Sequence, residues 1–387
     1  MTRGRRIGVV VAVVALAGGV AWALARAGSA SSGPLSDALD ATGRAVSAAE
    51  HGLVELFRGP GRAARLDWLE PYRRRSDRLT DPDRILLGAY EERVPGSLEG
   101  VTELEDSLGV TFPLIHAYVA WGDLPRERFP HDWLRAVRRA GSIPVISWEP
   151  WLNDFRADLH PELPAPSERA VGGLRAVARG EYDFYVDRWA RQARTYGDPL
   201  FLRFAHEMND PYRYPWGPQN NSAEAFVDAW RHVVERFRAA GADNVLWVWS
   251  PHPAYGSFDA FYPGDAWVDW VGATVLNYGR AAPWSRWWGF DAIFGDYYDE
   301  LAGFGKPVMI AELGSLAVGG DRPGWYREAF SSLPDEHPRV RAVMLYASSR
   351  DATVTGKAVD WGVAGDSAVV RAIREAVAGW TSTQEAP

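Results

Sequence analysis

From residue 82 onward, short β-rich runs alternate with stretches whose apolar residues recur at helical spacing. The runs are Arg84–Tyr90, Phe112–Val119, Ile143–Trp148, Leu200–Phe204, Val245–Trp249, Trp270–Leu276, Val308–Ala311 and Val340–Tyr346. The spacing between them predicts helices at Pro130–Ala140, Tyr182–Tyr196, Ala223–Ala240, Ala292–Phe304 and Gly324–Leu333, with a last one at Ser367–Trp380. After the first and fifth runs no clear helix is legible. Strands that alternate with helices pair in parallel, because each helix carries the chain back to the same edge. Eight such units predict an α/β chain closed into a single (β/α)₈ barrel over residues 82–382. A doubly wound open sheet is the competing arrangement, but no glycine-rich phosphate or dinucleotide loop is present to favour it.

The segment before the barrel has a different pattern. Ile7–Ala25 is a run of 19 uncharged residues, with Arg3, Arg5 and Arg6 before it and Arg26 after it. That is close to the roughly 20 residues that cross a bilayer and longer than the core of a signal peptide. An uncleaved anchor fits the length better than a cleaved signal, although Ala23-Leu24-Ala25 and Gly28-Ser29-Ala30 offer small-residue cleavage sites. The excess of cations before the run places the N-terminus in the cytoplasm. Residues 1–27 are therefore expected to be an anchor or signal, and 28–81 a partly helical spacer. The barrel is expected outside the cytoplasmic membrane, either tethered or secreted.

Composition narrows the chemistry. A net charge of −8 argues against a general nucleic-acid binder. The chain has no cysteine, which excludes disulfides, thiolate metal sites and a cysteine nucleophile. No HExxH occurs, since residue 210 is Asp, and no spacing suggests a metal or cofactor. In a barrel of this kind the chemistry sits where the strands end. Those ends hold His116 and Tyr118, Trp148-Glu149-Pro150-Trp151, His206-Glu207-Met208-Asn209, His252, Asn277-Tyr278, Glu312 and Tyr346. Glu207 and Glu312 each follow an apolar strand and would be costly to bury unpaired. Two carboxylates across a cleft are what glycoside hydrolysis requires: one protonates the leaving oxygen, and the other attacks the sugar or activates water. Arg203 and Tyr278 are placed to donate to one of them. A structural ion pair accounts for a lone strand-end Glu equally well, so spacing alone leaves both readings open.

Arg203-Phe204-Ala205-His206-Glu207-Met208-Asn209, followed by Tyr214-Pro215-Trp216, resembles the R-x-x-H-E-M-N block of glycoside hydrolase family 26, the β-mannanase family. Ile310-Ala311-Glu312-Leu313-Gly314 resembles that family's seventh-strand block, and Asp360-Trp361 its late Asp-Trp. The resemblance spans roughly residues 84–365. It implies a retaining mechanism, with Glu207 as acid/base and Glu312 as nucleophile about 5–5.5 Å apart. It further implies that Arg203 holds Glu312 in place, that Tyr278 hydrogen-bonds it, that His206 shapes the sugar site and that Trp361 contributes to a sugar platform. Asp210 stands where mannanases commonly have Gly followed by Trp. A β-glucan or an exopolysaccharide of the cell itself therefore stands beside β-mannan as substrate.

The chain has 19 tryptophans. Trp121, Trp148, Trp151, Trp216, Trp284, Trp287, Trp288 and Trp361 fall in or next to post-strand loops, where rings could stack on pyranose faces; for Trp148 and Trp151 core packing is an equal alternative. Trp133, Trp189, Trp230, Trp247 and Trp270 fall inside predicted elements and are expected in the core. Asn209, His116 and Glu149 complete the expected cleft. The expected activity is that of an endo-β-glycosidase needing no cofactor and acting on a polysaccharide. A non-catalytic carbohydrate-binding barrel is the alternative.

Overall fold

The computed structural model describes residues 61–384. The apolar run Ile7–Ala25 and most of the expected spacer lie outside these residues. Among the described residues, no helix is long and apolar enough to cross a membrane.

Eight parallel strands form a closed barrel in sequence order: β1 (Leu86–Glu91), β2 (Leu114–Ala120), β3 (Ile143–Glu149), β4 (Leu200–Phe204), β5 (Val245–Trp249), β6 (Trp270–Asn277), β7 (Val308–Ser315) and β8 (Val340–Ala347). β8 pairs with β1 and closes the ring. The expected (β/α)₈ barrel is therefore what the chain adopts. Side chains alternate across each strand. In β4, Leu200, Leu202 and Phe204 face the outer helices, while Phe201 and Arg203 point into the barrel. Helix Ala223–Ala239 shows the complementary logic. Ser222 caps it by accepting from the Ala225 amide at 3.1 Å. Phe226, Trp230, Val233 and Phe237 form its buried stripe.

Three helices of the barrel escape the sequence pattern: Glu99–Leu108 after β1, Gly173–Ala178 between β3 and β4, and the single turn Phe258–Phe261, which with the short turn Pro253–Tyr255 is all the helix between β5 and β6.

The lower mouth of the barrel is closed by residues before β1. Leu66, Leu69 and Leu79 are buried against residues near the lower ends of the strands, among them Leu86, Leu114, Ile143 and Trp270. Trp270 Nε1 donates to the Leu79 carbonyl at 2.8 Å. Residues 61–79, expected within a spacer, are thus packed into the barrel floor. Arg62 is buried there and is held by Glu105 at 2.6 and 3.0 Å, with a further bond to the Phe112 carbonyl. Glu105→Ala is expected to cost about 3–5 kcal/mol, because it strands a buried guanidinium. A lowered urea midpoint checks this, and the apolar pair Arg62→Met with Glu105→Leu should recover most of the loss.

Candidate active site

Chemistry-bearing side chains gather at the upper rim, where β3, β4, β6 and β7 end. The chain leaves β4 through a turn in which Ala205 and Glu207 adopt positive φ, 44° and 54°. Such backbone costs on the order of 1–3 kcal/mol per residue and collects at functional sites. The turn is tied down on both sides. The Ala205 amide donates to the Trp148 carbonyl at 3.0 Å, and the Glu207 amide donates to the Ser250 carbonyl at 2.7 Å. Asn209 does not face a ligand space. Its amide group donates to the carbonyls of His252 and Gly256, and its carbonyl accepts from the His252 amide at 2.6 Å. It braces this turn against the loop after β5.

Glu312 sits in an irregular stretch of β7, where pairing slips on both neighbouring strands. Arg203 Nη1 donates to its Oε1 at 2.6 Å. The same guanidinium reaches Ser147 Oγ at 3.3 Å and Thr274 Oγ1 at 3.1 Å, and it is wholly buried. Burial works against the Arg203 charge, but Glu312 outweighs it and raises the guanidinium above its usual value. Arg203 therefore gives Glu312 a fixed cationic partner from the barrel interior.

Glu207 is fully buried. Its Oε2 accepts from Arg213 Nη1 at 2.7 Å, and its Oε1 has no partner. Burial alone would push this carboxyl up. His252, Arg213 and Arg203 outweigh this and hold it well below the usual carboxylate range. This environment favours the anion, whereas giving a proton to a leaving oxygen requires the acid form.

Glu149 closes the third side. Trp151 Nε1 donates to its Oε2 at 3.1 Å, and His206 Nε2 is 4.0 Å from its Oε1. Burial raises it, the Trp151 bond opposes that, and Glu312 and Glu207 add to it, so Glu149 is pushed up to about 7. His206 contacts the Tyr214 hydroxyl at 3.1 Å, and Tyr214 stacks on Trp216 at 4.5 Å. Burial, then Arg203, hold His206 well below its ordinary value. His116 is buried against Ser147 Oγ at 2.9 Å and is lowered for the same two reasons.

Several expected contacts are absent or differently placed. Tyr278 makes no hydrogen bond to Glu312; its ring is turned against Trp284 and Trp361. Tyr118 and Tyr346 are phenols raised by burial and then by the Glu312 charge. Trp148 points outward, because alternation along β3 sends Ser147 and Glu149 inward. It packs on Trp121 and Trp189 at 4.6 and 4.7 Å and cannot reach a substrate. Trp361 is also buried, with its Nε1 on Asp351 Oδ2 at 2.9 Å, and it offers no open face for a sugar. Its ring lies over Gly314, where an added Cβ would come to 3.0 Å. Trp216 is buried and donates to the His206 carbonyl at 2.8 Å, so it supports the turn from behind.

The open aromatic surface comes from other rings: Tyr212, Tyr255, Trp284 and Trp288 are exposed. Tyr212, Tyr255 and Trp284, with Arg213, His252 and Tyr278, line a cavity of about 520 Å³ beside Glu207. Arg213 and Tyr212 were missed from the sequence, since nothing in the loop's composition marks them. Glu207, Asp210 and His252 bring donor atoms within 4.8 Å of one another. Arg213 already answers that negative charge, with Nη1 on Glu207 and Nε 3.9 Å from Asp210, so the trio does not make a cation site.

The arrangement offers two carboxylates at the ends of β4 and β7, each with its own arginine, and Arg213 links Glu207 to the wall of an aromatic-lined cavity. The family model "Glycosyl hydrolase family 26" matches residues 177–317, a stretch that holds both Glu207 and Glu312. The chain is 29% identical over 322 residues to "Endoglucanase H" of Acetivibrio thermocellus, covering 77% of this chain and 32% of that one. It is 26% identical over 228 residues to a "Mannan endo-1,4-beta-mannosidase" of Bifidobacterium adolescentis, covering 54% of this chain and 22% of the other. It thus spans a third or less of the length of these curated relatives. A solved Cellulomonas fimi endo-beta-1,4-mannanase double mutant shares the fold, with a TM-score of 0.56, 20% identity, and coverage of 82% of this chain and 74% of that one. Motif, barrel and family model agree: the segment that carries Glu207 and Glu312 resembles glycosyl hydrolase family 26.

Proposed function

We propose that the chain is a retaining endo-β-glycosidase acting on a β-linked polysaccharide, with β-mannan as the first substrate to test. One observation carries the reading: Glu207 and Glu312 lie at the ends of two strands of one barrel, and a buried arginine sets a fixed cation against Glu312, the carboxyl placed as nucleophile. In this reading Glu312 attacks the anomeric carbon, and Glu207 gives its proton to the departing oxygen. Glu207 then takes a proton from the water that releases the sugar. Relatives named for endoglucanase and mannan endo-mannosidase activity support a β-linked hexose polymer and keep β-glucan in view. Trp284, exposed above Tyr278, is the ring best placed to stack on a pyranose. We further propose that the barrel works outside the cytoplasmic membrane, held or exported by the run Ile7–Ala25; fractionation of cells would find it in the cytosol if that is wrong.

The test is incubation of the full chain with mannan, mixed-linkage β-glucan and xylan, with product size and anomeric configuration read by NMR. Internal cleavage of one polymer with first-formed β-anomers is the expected result. Binding without release of oligosaccharides from any of the three would overturn the reading in favour of a carbohydrate-binding barrel.

A further inference from the structure

Arg213 lies in the loop Asp210–Trp216 that follows β4. Its Nη1 occupies Oε2 of Glu207 at 2.7 Å, while Oε1 is buried and unpartnered. The Arg213 side chain is 19% exposed and reaches the wall of the 520 Å³ cavity. Building on the glycosidase reading above, we propose that Arg213 is a positioning residue. It reserves Oε1 of Glu207 for the travelling proton and favours the half-reaction in which Glu207 works as a base.

The first part follows from what an arginine can do. A guanidinium donates and never accepts. A proton placed on Oε2 would face the N–H already there, so the proton rests on Oε1, the oxygen left free. In the first half-reaction Oε1–H protonates the departing glycosidic oxygen. A Glu312 oxygen bonds to the anomeric carbon, and the electrons of the broken C–O bond go to the leaving group. In the second, Oε1 takes a proton from water. The water oxygen bonds to the anomeric carbon, and the bond to Glu312 breaks, restoring its carboxylate.

The second part is electrostatic. A permanent cation on Oε2 stabilises anionic Glu207, the form the second half-reaction starts from, and opposes the acid form needed in the first. The other groups around Glu207 do not duplicate this role. His206, its chain neighbour, is kept neutral by burial and by Arg203. Arg203 on β4 is committed to Glu312 on β7. His252, after β5, also favours the anion, but it is an imidazole and not a permanent cation. Asp210 in the same loop and Glu149 on β3 add negative charge that disfavours the anion. The phenols of Tyr214, Tyr278 and Tyr297 are kept neutral by burial. Arg213 is the cation in contact with Glu207 whose charge does not depend on pH.

The experiment compares Arg213→Met with the unaltered full chain, using the polymer cleaved in the panel and the matching 2,4-dinitrophenyl β-glycoside. On the polymer, the alkaline limb of kcat/KM should move up by about one pH unit or more, because Glu207 keeps its proton to higher pH. The dinitrophenolate leaves without a proton, so its kcat reports the second half-reaction and should fall by about tenfold. Arg213→Lys keeps the charge and should leave the limb near its original position, while Arg213→Gln keeps a donor and loses the charge and should move it. The Lys and Gln pair carries the test if the Met variant does not fold. Limbs and kcat unchanged across all variants would overturn the role of Arg213 and leave the glycosidase reading standing. An unaltered chain that cleaves none of the polymers would instead sink the glycosidase reading, and this inference with it.

Discussion

Glu312→Gln is expected to lower turnover of the true polysaccharide on the order of 10⁴–10⁶-fold, the scale seen when one member of a covalent catalytic unit is removed. Gln is the informative replacement because of Arg203. That guanidinium is wholly buried and donates to Glu312 Oε1 at 2.6 Å. Alanine would strand a buried cation, at a cost of about 3–5 kcal/mol, and would blur lost chemistry with lost stability. Glutamine keeps an acceptor oxygen in the same place and loses the nucleophile. Two measurements separate the cases. Thermal unfolding of the variant should stay close to that of the unaltered chain. In the unaltered chain, a 2-fluoro β-glycoside with a good leaving group should add one glycosyl mass to the peptide that contains Glu312. A label on any other residue, or a Gln variant that turns over normally, removes Glu312 from the mechanism.

Glu207→Ala should behave differently according to what leaves. With the polymer, whose leaving oxygen needs a proton, kcat/KM should fall by about 10²–10⁴-fold. With a dinitrophenyl glycoside the first half-reaction proceeds without an acid. The glycosyl–enzyme then accumulates, because no base activates water. Azide is already anionic and needs no base, so it should restore turnover and yield a β-glycosyl azide. The methyl group left at residue 207 opens room for it and releases Arg213 from its only short contact with Glu207. Unchanged polymer cleavage, or an absence of rescue together with an absence of accumulation, would show that Glu207 does not carry the proton.

Much of the barrel was legible because its signal is periodic. All eight expected runs coincide with strands, most of them to within two residues at each end. β7 was read too short. Its expected end was Ala311, since Glu312 looks like the start of a loop, yet the strand continues to Ser315 through a slip in register. The helix Glu99–Leu108 was missed because it opens on Leu98, with no side-chain cap to mark its start, and carries four acidic residues. The two glutamates and Arg203 were legible because charged residues beside apolar strands need a reason. The tryptophans were harder. Adjacency to a loop was taken as exposure, but alternation along β3 buries Trp148, and the loops fold over Trp121, Trp216 and Trp361. Trp133, Trp189, Trp230, Trp247 and Trp270 are buried as expected. Arg213 could not be singled out at all. Its importance depends on which oxygen of Glu207 it meets, and that is a property of the folded loop.

The packed floor gives the molecule a direction. Arg62 is locked to Glu105 beneath the strands, so the polypeptide joins the barrel at the pole opposite the rim that carries Glu207 and Glu312. A chain gripped on its N-terminal side would hold its open end outward, facing away from whatever grips it. Long polymer strands would then meet the cleft without first passing the point of attachment. Loops at the rim could be exchanged to suit a different sugar while the floor keeps both the grip and the fold.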